Sequence, residues 1–432
     1  MTERRPDADV DSGPTGVWDE VVGQPETVAI LRTAAAAADR IVTAAAAGRI
    51  VEAAAGVVSV QHAADNTVSS AAAMTHSWLF TGPAGSGRSV AARAFAAALQ
   101  CPFAGCGQCV QCHTVRAGTH ADVHIVVPDG LSIPVKDMRE LVRTAARRPS
   151  AGRWQVVIVE DADRLTEGAA NALLKAVEEP PERTVFLLCA PSTHPDDVSV
   201  TLRSRCRVVP LRVPDDAAVA EVLIRRDGVD PAQAAWAASA AQGHVGRARW
   251  LARDEAARIR RNCVLDIPMS LRSLADCFAA ADELVGGAEE EAASRSRTRD
   301  EPEAHALRTA LGAGGTGKGT AAAARGSAAQ LKDLERRQKS RATRTQRDAL
   351  DRALVDLAGF YRDALTVHSG SQTRLWHSDR ETDIRRLARG MTAEGILLRL
   401  EAVLAARAAL ELNVKPRIAI EAMSVALRLP GT

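Results

Sequence analysis

The sequence predicts an α/β protein: a parallel sheet with helices on both faces, followed by purely helical domains. Three observations carry that prediction. Short apolar runs at 79–81, 123–127, 156–159, 185–189 and 208–211 alternate with helical patterns. A glycine-rich loop joins the first run to a helix. From Asp215 onward the chain reads Ala, Leu and Arg at helical spacing, with no good strand candidate. Buried strands alternating with helices are the pattern of a parallel sheet covered on both faces.

Residues 1–16 are polar, carry Pro6, Pro14 and several charges, and lack the apolar core of a signal peptide. They read as a disordered tail of a cytoplasmic protein. The sheet domain spans 17–213. Within it, residues 38–73 are Ala-rich and poor in large side chains, and read as an insertion. Asp39, Arg40, Arg49 and Glu52 break the apolar character there, so no membrane span is expected. Residues 284–331 are charged or glycine-rich with few large apolar side chains, and read as a linker or disordered insertion. Helical periodicity resumes near Leu334. It pauses at Asn413-Val414-Lys415-Pro416, which puts Pro416 in the first turn of the last helix.

Composition narrows the function. Among 432 residues, 55 Lys and Arg balance 53 Asp and Glu, for a net charge of +2. That excludes a uniformly basic nucleic-acid binder and an acidic disordered chain. One Tyr and six Phe are too few for a wide platform that stacks single-stranded bases. Alanine carries much of the 46% hydrophobic content, which favours helix. Four of the eight cysteines cluster and the rest are scattered, unlike a secreted disulfide scaffold.

Gly82-Pro83-Ala84-Gly85-Ser86-Gly87-Arg88-Ser89 follows the first strand and opens a helix, the context a phosphate loop requires. Gly82, Gly85 and Gly87 let backbone N–H groups point inward as an anion nest, and the helix N-terminus adds its positive end. Ser89 stands where a Mg²⁺-binding hydroxyl belongs. Arg88 stands where the motif calls for Lys, and its planar guanidinium fits poorly between the β- and γ-phosphates. A phosphate-loop fold is expected, with weak or absent ATP hydrolysis. Gly312-Ala313-Gly314-Gly315-Thr316-Gly317-Lys318-Gly319 imitates the motif, but has no strand before it and no hydroxyl after the Lys. It is assigned to the linker.

The strand at 156–159 ends in Glu160-Asp161, the reverse of the usual Asp-Glu order. In a phosphate-loop protein the first carboxylate holds Mg²⁺ and the second polarises the attacking water. A shorter Asp161 sits farther from the γ-phosphate, which again argues against hydrolysis. Cys101, Cys106, Cys109 and Cys112 read C-x4-C-x2-C-x2-C, with Gly105 and Gly107 supplying turns. Four sulfurs at this spacing match a closed structural Zn²⁺ site, with an iron–sulfur cluster as the alternative. His113 reads as a neighbour of the site.

Taken together, Val22-Gly23-Gln24, the phosphate loop, the cysteine module after its helix, Asn171-Ala172-Leu173-Leu174-Lys175-Ala176-Val177-Glu178-Glu179-Pro180-Pro181 and Ser204-Arg205-Cys206 resemble the bacterial clamp-loader AAA+ family of DNA polymerase III. Asn413 to Leu429, with its Asn-x-x-Pro-Arg pattern, is similar to that family's last collar helix. The resemblance implies an AAA+ phosphate-loop domain over 17–213 with a zinc module at 101–112. It also implies a helical lid at 214–265 and a helical collar at 266–432. Arg88 and the swapped Glu160-Asp161 resemble the δ′ branch, whose own ATP site is degenerate, more than the γ/τ motor.

That branch implies a subunit that completes the ring and helps load the sliding clamp on primed DNA. Its partners would be the γ/τ and δ subunits, with the clamp and primer-template DNA reached through the complex. Arg205 would be an arginine finger reaching a neighbour's γ-phosphate. Thr193, or Ser192 beside it, would match the first sensor, and Arg247 in Gly243-His244-Val245-Gly246-Arg247 the second. An active AAA+ ATPase of the γ/τ kind, or a zinc-dependent nucleic-acid-binding module, are the competing functions. The helix 169–179 also reads as an ordinary core stripe of Ala170, Leu173, Leu174 and Val177. The basic run from Arg336 to Arg347 reads as a solvated face.

Overall fold

Five short apolar runs are expected as strands, and all five form. In the computed structural model they are β1 (Ser77–Thr81), β2 (Val123–Val126), β3 (Gln155–Val159), β4 (Thr184–Ala190) and β5 (Arg207–Pro210). The structure describes residues 16–54, 74–311 and 320–428. Nearly all of the expected tail, residues 55–73 of the Ala-rich insertion and the Gly312–Gly319 imitation motif lie outside the described residues. Residues 38–54 of the insertion continue helix α1 (Pro25–Ala54).

The strands pair in parallel in the order β2-β3-β4-β1-β5. Every residue of β1, β3 and β4 is buried, while the edge strands β2 and β5 are partly exposed. Alternation then sorts side chains to two faces. Trp78, Phe80, Val156, Ile158 and Leu187 meet α1, α2 (Arg88–Gln100) and α3 (Val110–Ala117). Leu79, Val157, Phe186 and Leu188 meet α4 (Val135–Ala145), α5 (Glu167–Glu178) and α6 (Val200–Arg203). The small side chains of Ala91, Ala92, Ala96 and Ala97 let α2 lie close to the sheet, and Phe95 meets Trp78 edge to face at 5.1 Å. Thr166 caps α5 by accepting from the Ala169 N–H. The buried stripe of α5 is Ala169, Leu173, Ala176 and Val177; Ala170 and Leu174 are half-buried.

The chain divides into two compact units. The first is Met1–Pro128, Ser132–Ala234 and Gly243–Gly246; the second is Asp129–Leu131, Ala235–Gln242 and Arg247–Thr432. After α7 (Asp216–Asp227) come α8 (Pro231–Ala240), α9 (Val245–Arg253) and α10 (Glu255–Ser270). The second unit contains α10 together with α11 (Leu274–Ala310), α12 (Thr320–His368), α13 (Glu381–Gly390), α14 (Ala393–Glu411) and α15 (Pro416–Arg428). Leu354, Leu357, Phe360, Ile384, Ile396, Val403 and Ile420 are fully buried in its core. Pro416 opens the last helix as expected, after Asn413 turns the chain with φ +64°. Among the described residues, no helix is long and apolar enough to cross a membrane.

The reading of 284–331 as a linker needs correction. Residues 284–310 continue α11 and residues 320–331 begin α12. Ala, Glu and Arg are strong helix formers even where few large apolar residues pack. Charged pairs hold the two helices together: Arg352 to Glu291 at 2.5 Å, and Arg341 to Glu303 and Asp300 at 3.1 Å. Within the basic run, Arg336 and Arg337 share the single carboxylate of Asp333.

His377 is fully buried in this unit. Its Nδ1 lies 3.2 Å from Asp363 and its Nε2 3.7 Å from Asp356. Burial disfavours its charge, but hydrogen bonding and attraction from the two carboxylates prevail and raise its pKa. A group raised in the folded state stabilises fully below its unfolded pKa, and that contribution is lost as pH rises through the folded value. The thermal midpoint is therefore expected to fall as pH rises above about 6.5, the ordinary histidine value, and His377→Gln should flatten that slope. Equal slopes in the two proteins would remove His377 from the pH dependence.

Candidate functional site

The strand order places β4 between β1 and β3, with Thr81 opposite Ala190 and Val159 opposite Leu188. The segments that leave these three strands therefore emerge at one edge of the sheet. They are the phosphate loop, the Glu160-Asp161 turn and the Ser192-Thr193 loop. The Gly82 N–H donates to the Pro191 carbonyl at 3.1 Å and ties the first of them to the third.

The loop has the backbone that its glycines imply. Gly82 has φ +155°, and a Cβ there would lie 2.5 Å from the Leu211 carbonyl oxygen. Gly85 has φ +89°, and a Cβ there would lie 2.8 Å from the His244 side chain. Gly87 is left-handed and caps α2. Ser86 is 1% exposed, and its Oγ has no hydrogen-bond partner among the described residues.

The charged residues are less conventional. Arg88 turns back and donates from Nη1 to the Gly82 carbonyl at 2.9 Å. Ser89 is half-buried at the start of α2. Glu160 accepts from Arg93 through Nε at 3.1 Å and Nη2 at 2.8 Å. Arg93, which motif reading misses, is thus part of the candidate site. A lone Arg in an Ala-rich helix looks solvent-bound, and only its place four residues after Ser89 signals otherwise. Asp161 is left-handed, with φ +53° and ψ +56°. Near it, burial raises the pKa of Asp163, whose Oδ1 has no hydrogen-bond partner among the described residues.

The remaining expected residues divide. The Thr193 carbonyl accepts from Arg203 Nη1 at 3.1 Å, and Ser192 Oγ donates to Asp197 at 2.6 Å. Arg247 lies in the second unit, buried, with Nη2 2.5 Å from both oxygens of Asp356. Its charge is taken up there by an internal ion pair. Arg205 is one-third exposed. Its Nη2 lies 2.6 Å from Glu178 Oε1, and its Nη1 donates to the Thr201 carbonyl at 2.8 Å.

The four cysteines come together between α2 and α3. Their Sγ atoms all lie within 4.8 Å of one another. Cys101 Sγ is 3.6 Å from the sulfurs of both Cys106 and Cys109. A metal–sulfur length of about 2.3 Å puts the corners of a tetrahedron about 3.8 Å apart, so the donor set fits such an ion. Amides also point at sulfur: Phe103 N and Cys106 N to Cys101, and Cys112 N to Cys109. Hydrogen bonds from Gln108 and Cys109 amides lower the Cys106 pKa to about 7, while burial raises Cys109 and Cys112. His113 is exposed and stands outside the cluster. The module is fastened to the 3-10 turn Val17–Glu20: Val17 N–H donates to the Gly105 carbonyl at 3.0 Å, and Trp18 Nε1 to the Ala104 carbonyl at 3.1 Å.

The family model for DNA polymerase III, delta subunit, matches residues 62–215. The chain is 36% identical over 180 residues to DNA polymerase III subunit delta′ of Pseudomonas aeruginosa, covering 40% of this chain and 54% of that one. It is 40% identical over 126 residues to subunit delta′ of Haemophilus influenzae, covering 29% and 38%. It is also 34% identical over 152 residues to subunit tau/gamma of that organism, covering 34% and 22%. The chain thus spans about half the length, or less, of these relatives.

The cysteine geometry yields a direct test. Freshly purified protein is expected to carry a tightly held metal ion, and Cys106→Ser or Cys109→Ser should lower its thermal midpoint. A metal held only by the folded state adds its binding energy to folding. A loss of about 2 kcal/mol corresponds to roughly 4–8 °C for a domain of this size. Elemental analysis that finds neither zinc nor iron would contradict a metal site.

Proposed function

We propose that this chain, a relative of the clamp-loader subunits of DNA polymerase III over its phosphate-loop domain, is a δ′-type subunit. It completes an AAA+ ring with γ/τ and δ subunits in the cytoplasm and helps them load the sliding clamp on primed DNA. It supplies Arg205 to a neighbouring motor instead of running a fast ATPase of its own. The cysteine module holds a structural Zn²⁺; residues 214–265 act as the lid and residues 266–432 as the collar.

One observation supports this reading above the others: the Glu160 carboxylate is held by Arg93. A strand-end carboxylate neutralised by an arginine is poorly placed to hold Mg²⁺ or to activate water. The relatives include both delta′ and tau/gamma subunits, and this pairing favours the former role. Arg205 suits the finger role because its present ion pair is weak. Exposed pairs of this kind contribute about 0.2–1 kcal/mol, so a neighbour's phosphate can draw the guanidinium away from Glu178.

The isolated chain is expected to hydrolyse ATP far more slowly than about 1 s⁻¹, the lower range of competent phosphoryl-transfer enzymes. Turnover at that rate or above would favour a γ/τ-type motor. In a complex reconstituted with γ/τ and δ subunits, Arg205→Ala should lower DNA- and clamp-stimulated ATP hydrolysis without disturbing assembly. A finger in trans contributes about a thousandfold or more at its own site, so the loss over the whole ring is partial. Arg205→Lys should rescue poorly, since a flexible ammonium does not reproduce the planar fork. Unchanged hydrolysis with intact assembly would remove Arg205 from the mechanism.

A further inference from the structure

We propose that Arg93 is a built-in cation standing in place of the divalent metal, so that this phosphate loop binds a nucleoside polyphosphate without Mg²⁺. The inference rests on reading Gly82 to Ser89 as a nucleotide site.

An ordinary phosphate-loop site holds Mg²⁺ between the hydroxyl that follows the loop's cation and the carboxylate at the end of the neighbouring strand. Here those groups are Ser89 and Glu160. Arg93 follows Ser89 by four residues in α2, which places both on one face of the helix. From that face its Nε and Nη2 both reach Glu160 Oε1. The guanidinium therefore bridges the two elements that would hold the ion. Glu160 is only 15% exposed at its side chain, and its single charge is already matched.

The donor set does not fit Mg²⁺. That ion demands near-octahedral oxygen coordination and usually takes at least one unpaired carboxylate from the protein. To bind here it would have to displace Arg93 and leave two cations side by side. A polyanion meets a better match. Arg88 is held at the loop by one bond from Nη1 to the Gly82 carbonyl, which uses one of its five N–H donors and keeps its charge beside the nest. Arg93 adds a second planar donor, and arginine pairs with phosphate through parallel hydrogen bonds. The backbone nest and the start of α2 supply neutral donors. Ser86 Oγ, buried and unpartnered within the same loop, is a further polar group awaiting a partner.

The test is nucleotide binding, measured by anisotropy of fluorescently labelled ATP and ADP on the full chain. The buffer is freed of divalent ions by chelating resin, which leaves a metal held by the cysteine module in place, and Mg²⁺ is then added back. Wild-type affinity is expected to change less than about threefold on adding Mg²⁺. Arg93→Ala should weaken metal-free binding by about tenfold or more, the scale of a lost charge-assisted bond. It should also make the remaining binding respond to Mg²⁺. Arg93→Lys should restore part of the metal-free binding, and circular dichroism should show all three proteins folded. Wild-type binding that tightens tenfold or more with Mg²⁺ would overturn the role of Arg93 and leave the nucleotide site standing. Absence of wild-type binding at millimolar nucleotide in either buffer would overturn the nucleotide site itself.

Discussion

Complete burial of three parallel strands is the constraint on which the rest of the phosphate-loop unit depends. β1, β3 and β4 expose no residue, so their central residues are apolar and covered on both faces, with polar Ser77, Thr81, Gln155 and Thr184 at the strand ends. With β4 between β1 and β3, parallel pairing brings their C-terminal ends to one edge. Charged residues appear only beyond the ends of these three strands. The phosphate loop, the Glu160-Asp161 turn and the Ser192-Thr193 loop follow from that single arrangement. A slip of one residue in β3 would turn its side chains to the opposite face and carry Glu160 away from Arg93.

Within this edge, charge is distributed between fixed and releasable pairs. Arg93–Glu160 joins two elements of one fold, and the carboxylate is largely shielded from water. Arg205–Glu178 lies on the surface, with both side chains more than one-third exposed. The two arginines are about equally open to water, so the pairs differ in their carboxylates: Glu160 is 15% exposed and Glu178 43%, which screens the second pair more. The same chemical pair thus carries both proposals, a metal seat taken by Arg93 in one place and a finger held by Glu178 in the other. In the second unit, Arg247 is committed to Asp356 inside the core, which is the opposite extreme.

Much of this was legible in the residues. Five apolar runs specified five strands; for β1, β3 and β4 a fully buried parallel strand has no polar side to confuse the pattern. The four cysteines and the three loop glycines announced their cluster and their nest, since few other roles require those residues at that spacing. The charged contacts were not legible. Arg93, Glu178 and Asp356 sit in ordinary helices, and only the tertiary fold supplies their partners. Residues 284–310 misled for a different reason. Their composition lacks large apolar side chains, yet helix propensity and ion pairs to the facing helix suffice to order them. Composition reports the hydrophobic contribution and is nearly blind to pairing between two long helices.

In the proposed role this chain acts on a neighbour's nucleotide and not chiefly on its own. A structure of the assembled complex, captured on primed DNA with a slowly hydrolysed ATP analogue, tests it most directly. The account predicts that the Arg205 guanidinium has left Glu178 and lies within hydrogen-bonding distance, about 2.7–3.1 Å, of the γ-phosphate on the adjacent subunit. An Arg205 side chain still bound to Glu178 while the neighbouring site is closed around its nucleotide would contradict it.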